Sequence, residues 1–291
     1  MTLASLALRQ PRVIDWGIRI DRIPAAGWLA LQAAALTPTW IWMSRRMVDG
    51  SDDPLGLLAL ATLAALVWTV RRDLRAAPRL GWLALAMVGT VAATLLRNGL
   101  GPLPALPPLA ASLLAVLALA CGLVAFLPRR LPILPIAGLA VLALPLLSSL
   151  QFYAGYPLRV VTAEASRWLL APGFTVAREG SSLMVDGRLV IVDAPCSGVQ
   201  MVWLGYFTAC AVALWARRDD RGFLARLPVV GVLVLAGNIV RNSVLIAFEG
   251  AERPLEPWTH EGLGLLILAF VCAGIATVMA KPTWEKRHAK V

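Results

Sequence analysis

Long apolar runs separated by short polar clusters set the pattern of this chain. Eight runs stand out, at roughly 24–43, 55–70, 80–96, 106–127, 131–150, 197–215, 224–248 and 262–280. Each is near the ~20 residues that a helix needs to cross a ~30 Å hydrocarbon layer. Only Pro128, Arg129 and Arg130 part the fourth run from the fifth, which predicts a tight helical hairpin. One long stretch, 151–196, breaks the pattern. Its first part, 158–170, repeats apolar residues at helical spacing around Arg159, Glu164 and Arg167, as an amphipathic helix lying on a membrane surface does. Its second part reads FTVAREGSSLMVDGRLVIVDAPC, in which short Val/Ile-rich runs flank Gly180 and the Asp186-Gly187 pair. Asp-Gly between such runs is a strong hairpin signal. The pattern therefore predicts an all-α polytopic membrane protein of about eight transmembrane helices. It forms a single transmembrane domain over 1–291, with an insertion at about 151–196 that carries the β-hairpin and amphipathic elements and leads into Cys196.

Composition agrees. Of 291 residues, 59% are hydrophobic and 15% charged, and mean hydropathy is +0.73; a soluble domain carries about 25% charge. The first 22 residues hold Arg9, Arg12, Arg19 and Arg22 with no apolar run between them. No cleavable signal peptide is expected there, and the first span serves as the insertion signal. The net charge of +10 does not point to nucleic acid, because the basic residues cluster between apolar runs, where they set orientation. With the N-terminus in the cytoplasm, the cytoplasmic side holds 18 Lys and Arg and the outer side 8, leaving Arg241 inside a span. That bias places both termini inside and 151–196 outside. Three of the four cysteines, Cys121, Cys210 and Cys272, fall in apolar runs as small buried thiols do. No spacing suggests a disulfide framework or a zinc site.

The same topology collects three polar residues at the outer ends of consecutive spans. Cys196 lies in DAPCSGVQ, flanked by Pro195 and Gly198 at a strand-to-helix junction. A helix N-terminus lowers a thiol pKa and favours the thiolate nucleophile; a small interfacial residue is the plainer reading. Arg241 lies in GNIVRNS, about seven residues before the expected outer end of its span, or roughly 10 Å deep. An Arg there costs at least ~2.5–3.5 kcal/mol on insertion scales. It either snorkels to the headgroups or faces an internal partner, an oxyanion or a carboxylate. Asn238, three residues earlier, shares its helix face, and Asn242 follows it. His260, in THEGLG, is one of two histidines; the other, His288, sits in the basic tail. It is either a polar anchor or, beside a cysteine, a general base or thiolate partner. Glu261 follows, but adjacent helical residues point about 100° apart.

The ordered series PCSG, NIVRN and HEGLG, each at the outer end of a late span, resembles the exosortase/archaeosortase family. DGSDDPLG at 49–56 also resembles an outward acidic, Gly/Pro-bearing stretch near that family's first span. The resemblance covers most of the chain, with its specific motifs in about 20 residues, and eight spans fit the family's usual topology. It implies a multi-pass cysteine transpeptidase of the plasma (inner) membrane, working without a cofactor. Its partners would be membrane-anchored proteins whose C-terminal sorting signal combines a short motif, a hydrophobic helix and a basic tail. Carried over by position, Cys196 is the nucleophile, Arg241 the invariant arginine and His260 the histidine. Asn238, Asn242 and Ser197 are the substrate-binding candidates beside them.

Other readings stay open. A transporter or lipid-handling protein would use Arg241 to hold an anionic headgroup, although no inverted repeat or broken midplane helix is evident. Ser197 with His260 could form a serine dyad, but the Gly-x-Ser-x-Gly elbow is missing. A metalloprotease lacks its His-Glu-x-x-His motif. A purely structural subunit is the remaining alternative.

Overall fold

The computed structural model describes residues 23–50, 54–100, 105–191, 197–251 and 256–281. Outside the described residues lie Cys196, the arginines of the first 22 residues, part of DGSDDPLG, Arg253, and the basic tail with His288. The chain divides into two compact units, Met1–Ile41 with Leu66–Pro128, and Trp42–Ala65 with Arg129–Val291.

The run expected as one span is split at Leu36 into α1 (Ala25–Ala35), in the first unit, and α2 (Thr37–Val48), whose residues from Trp42 on belong to the second. Pro38 has no N–H to give the Ala34 carbonyl; the Thr37 hydroxyl donates to that oxygen instead, at 2.5 Å. After α3 (Gly56–Thr69), which lies in the second unit up to Ala65, come α4 (Leu80–Arg97) and α5 (Pro108–Phe126) of the first, packed antiparallel. The backbone N–H groups of Arg75 and Arg79 donate to Phe126 and Ala125 at 2.9 and 3.0 Å, taking up carbonyls that the end of α5 leaves over. The buried face of α5 carries Ala111, Ala115 and Ala118, small residues that let helices approach closely. Gln32 of α1 reaches this face, donating from Nε2 to the Ala118 carbonyl (2.8 Å) and to Thr90 Oγ1 (3.2 Å).

The longer stretch of the second unit begins with α6 (Ile133–Leu142) and α7 (Leu147–Leu170). These lie at 95° to each other, so the fifth expected span does not run straight through. Pro145 ends the first arm by removing a helical donor. Among the carbonyls left over, that of Leu142 accepts from the Trp203 indole N–H at 3.2 Å. At the other end of α6, Asp220 Oδ1 accepts from the N–H groups of Ile133 and Leu134 at 2.8 and 2.7 Å, a helix cap supplied from another element. The segment 158–170 does not lie free as a surface helix. It is the second half of α7, and Thr162, Ala163, Ser166 and Leu170 are buried while Arg159, Glu164 and Arg167 are partly buried.

Next comes a three-stranded antiparallel meander: β1 (Val176–Glu179), β2 (Ser182–Val185) and β3 (Arg188–Ile191). The Asp186-Gly187 hairpin forms with φ of 48° and 83°, as a type I′ turn needs; Gly180 opens the other tight turn. Leu183, Val185 and Val190 pack onto Ala163 and Leu170 of α7 and onto Ile246. Glu164 accepts from Arg167 at 2.5 Å and from Arg178 of β1 at 2.6 Å, tying strand to helix.

The chain then enters α8 (Val199–Trp215), the short α9 (Asp220–Leu224), α10 (Leu227–Gly250) and α11 (Pro257–Ala280). α8 packs against α6, α7, α10 and α11. At the end that holds the loop between α8 and α10, Arg218 donates to the carbonyls of Met279 and Lys281 and so caps α11.

By length and composition, four helical segments can cross a membrane: Leu80–Arg97, Pro108–Phe126, Asp220–Gly250 and Trp258–Ala280. The bent α6–α7 pair makes up to five. The remaining expected spans correspond to apolar helices of 11, 14 and 17 residues, at Ala25–Ala35, Gly56–Thr69 and Val199–Trp215. Eight full spans are thus not confirmed: among the described residues, four helical segments, or five with the bent pair, have the length and composition to cross a membrane. Large apolar side chains face outward along these helices, as a lipid solvent allows; Leu265 and Phe270 are 66% and 69% exposed.

Candidate active site

The polar residues of α10 divide between two faces. Asn238 and Asn242, four apart, are buried, each 2% exposed. Asn238 donates to Thr162 Oγ1 of α7 at 3.1 Å, and Asn242 donates to the Asn238 carbonyl at 2.8 Å. Ser243 adds a second link to α7, donating to Ser166 Oγ at 3.0 Å. Thr162 and Ser166 are themselves four apart, so two registered polar contacts hold α7 against α10.

Arg241 takes the other face, toward α8 and α11. Its Nε is buried and has no hydrogen-bond partner among the described residues. Space for the guanidinium comes from Gly264 of α11: a Cβ there would fall 3.0 Å from Arg241 Nε and 3.4 Å from Nη2. α10 runs on to Gly250, so Arg241 lies nine residues before the helix end, about 14 Å in and deeper than the sequence suggested. It opens into a cleft of about 280 Å³ between α8, α10 and α11. Gly198, Gln200 and Met201 form one wall; Glu261, Gly264 and Leu265 form another. Arg241 and Glu261 share this cleft with no ion pair between them among the described contacts. A cation and a carboxylate thus line the same cleft, together with the apolar side chains of Met201, Leu204, Leu265 and Leu268.

The α8 side is shaped by its entry. Gly198 precedes the helix with φ 83°, a left-handed conformation that glycine adopts without strain. A Cβ at 198 would lie 2.6–3.0 Å from the Asn238 side-chain amide. Just before it, Ser197 is buried at 2% exposure, and its hydroxyl donates to Gln151 Oε1 of α7 at 2.8 Å.

The expected site residues are distributed as follows. Arg241 lines the cleft. Asn238, Asn242 and Ser197 stand behind its wall in buried helix contacts. His260 is in the first turn of α11, which starts earlier than the sequence suggested; its N–H donates to the Glu256 carbonyl at 3.0 Å. It is partly exposed, next to cleft-lining Glu261 and one turn before Gly264, and it does not itself line the cleft. Cys196 lies outside the described residues, one position before Ser197. Gln151, Thr162, Ser166 and Ser243 were not anticipated. For Thr162 and Ser166 the signal was their four-residue spacing on α7, obscured by the neighbouring charges; Gln151 and Ser243 carried none. Among the described residues no three His, Cys, Asp or Glu side chains converge as metal ligands would.

A family model, the transmembrane exosortase, matches residues 42–277. The chain belongs to the exosortase family. The match takes in α8, α10 and most of α11, with Cys196, Arg241 and His260 inside it. No curated protein and no solved structure matches the chain. Membership makes this exosortase a multi-pass membrane protein of a transpeptidase family, in keeping with its long apolar helices.

Proposed function

We propose that this exosortase is a cysteine transpeptidase of the plasma (inner) membrane that cleaves the C-terminal sorting signal of exported, membrane-anchored proteins. Both termini lie in the cytoplasm and the site faces outward. The observation that carries the reading is Arg241: a guanidinium deep in a helix, its Nε without a hydrogen-bond partner among the described residues, opening into a cleft whose wall begins two residues after Cys196. A membrane-embedded Arg costs at least ~2.5–3.5 kcal/mol. A site whose described residues supply it no counter-charge is suited to negative charge arriving with, or developing on, a ligand.

In the proposed reaction the hydrophobic helix of the substrate lies along the apolar part of the cleft, at Leu204, Leu265 and Leu268. The Cys196 thiolate adds to the scissile carbonyl carbon, and Arg241 stabilises the resulting oxyanion from the cleft wall. Collapse breaks the C–N bond; His260 gives its proton to the leaving amine. The thioester left on Cys196 is then attacked by an acceptor amine or water, which frees the thiolate and returns a proton to His260. Asn238, Asn242 and Ser197 maintain the shape of the substrate site from behind.

The test uses a co-expressed membrane protein that ends in a short motif, a hydrophobic helix and an arginine-rich tail. Mass spectrometry of its mature C-terminus should show shortening with the wild-type chain. Cys196→Ala should abolish shortening with the chain still in the membrane. Continued shortening in that variant refutes covalent catalysis by Cys196.

A further inference from the structure

We infer that Gln151 is a positioning residue for Cys196, holding the nucleophile-bearing segment in register through the Ser197 hydroxyl. The inference rests on the cysteine-transpeptidase reading above.

Ser197 is bonded directly to Cys196 in the chain, and its buried hydroxyl is already engaged. It donates to Gln151 Oε1 at 2.8 Å and accepts a long bond from the Val199 N–H at 3.4 Å. With its proton directed at an amide oxygen, Ser197 serves as a tether rather than a nucleophile. Gln151 follows a defined path to reach it. Its amide folds over Gly155, one turn along α7, where a Cβ would fall 2.7 Å from Nε2 and 2.9 Å from Cδ. Gly155 is therefore part of the device.

The rest of the same α7 face explains why this matters. Thr162 bonds Asn238 and Ser166 bonds Ser243, so α7 is fixed in register on α10, the helix that carries Arg241. Through Gln151 the same helix also grips the segment that carries Cys196. A single element thus holds both Ser197, the residue that follows Cys196 in the chain, and the helix that carries Arg241, with Gly198 at φ 83° opening the way into α8. Loss of the tether would leave substrate binding intact and disturb the attack geometry, which a shift of about 1 Å is enough to do.

The experiment uses the full chain in membranes and a membrane-anchored reporter bearing a tail whose cleavage Cys196→Ala abolishes. Gln151→Leu and Gly155→Ala should each lower the rate at saturating reporter by about tenfold, with the half-saturating concentration unchanged. Gln151→Glu keeps an acceptor for Ser197 and should stay within about twofold of wild type. Gln151→Leu combined with Ser197→Ala should be no slower than either alone, because both remove one interaction. Folded yield of each variant is read by fluorescence-detected gel filtration. A wild-type rate in Gln151→Leu, an equal loss in Gln151→Glu, or a change confined to half-saturation overturns the positioning role. Cleavage that persists in Cys196→Ala refutes the transpeptidase reading instead, so the two failures are separable.

Discussion

Replacing Gly198 by alanine tests the joint between Cys196 and α8 by two separable physical effects. A non-glycine residue at φ 83° pays about 1–2 kcal/mol for the left-handed conformation. The new Cβ also meets the Asn238 amide at 2.6–3.0 Å, and that amide is held by its bond to Thr162. Moving it breaks a buried hydrogen bond and strands its partner, at about 1–3 kcal/mol. Against these stands a gain of about 0.4–1 kcal/mol from restricting the unfolded chain. The net loss should be about 2–4 kcal/mol, a drop of several degrees in thermal unfolding followed by tryptophan fluorescence in detergent. The double variant Gly198→Ala/Asn238→Ala separates the contributions. It removes the steric conflict, so its midpoint should lie above that expected from adding the two single effects, while the conformational cost remains. Unchanged stability in Gly198→Ala, or strictly additive losses in the double variant, would show that Gly198 and Asn238 do not meet as described.

Substitutions at two further positions bear on separate parts of the fold. Asp220→Ala removes the shared cap on the Ile133 and Leu134 N–H groups and should cost about 1–2 kcal/mol in the same unfolding assay; an unchanged midpoint would refute the cap. Arg241→Met should lower reporter cleavage by about 10²–10³ with folded yield held or raised, since the buried charge is gone. Arg241→Lys keeps the charge without the planar fork and should recover only part of the rate; full activity in Arg241→Met removes Arg241 from the chemistry.

Much of the architecture could be read from local chemistry. The Asp186-Gly187 turn is fixed by two adjacent residues that accept positive φ, so its place was predictable to the residue. Arg241 and His260 could be singled out because each is a rare residue type in its setting. Span number was less legible. Mean apolarity does not reveal that Pro38 and Pro145 interrupt runs that otherwise read as continuous, and Pro145 is what turns α7 away from α6. Least legible was the inner face of α7. Charges at Arg159, Glu164 and Arg167 make 158–170 resemble a surface helix, but Thr162 and Ser166 reveal their role only when opposed to Asn238 and Ser243. Small polar residues on a helix are uninformative alone, since their value depends on a partner that sequence spacing does not supply.

The two faces of α10 behave in opposite ways, and that contrast bears on how the site works. Asn238, Asn242 and Ser243 spend their polarity on neighbours and hold the helix in place. Arg241, one step around the helix from Asn242, is spaced off α11 by Gly264, and its Nε meets no acceptor among the described residues. If burial of the charge were the aim, Glu261 on the same cleft would be the obvious counter-ion, yet no ion pair joins the two among the described contacts. An ion pair formed in the resting protein would have to break before Arg241 could stabilise an oxyanion, and that cost would reappear in the barrier. A guanidinium held in place by packing and left electrostatically open needs little reorganisation when negative charge develops, which is the condition under which preorganised charge accelerates a reaction most.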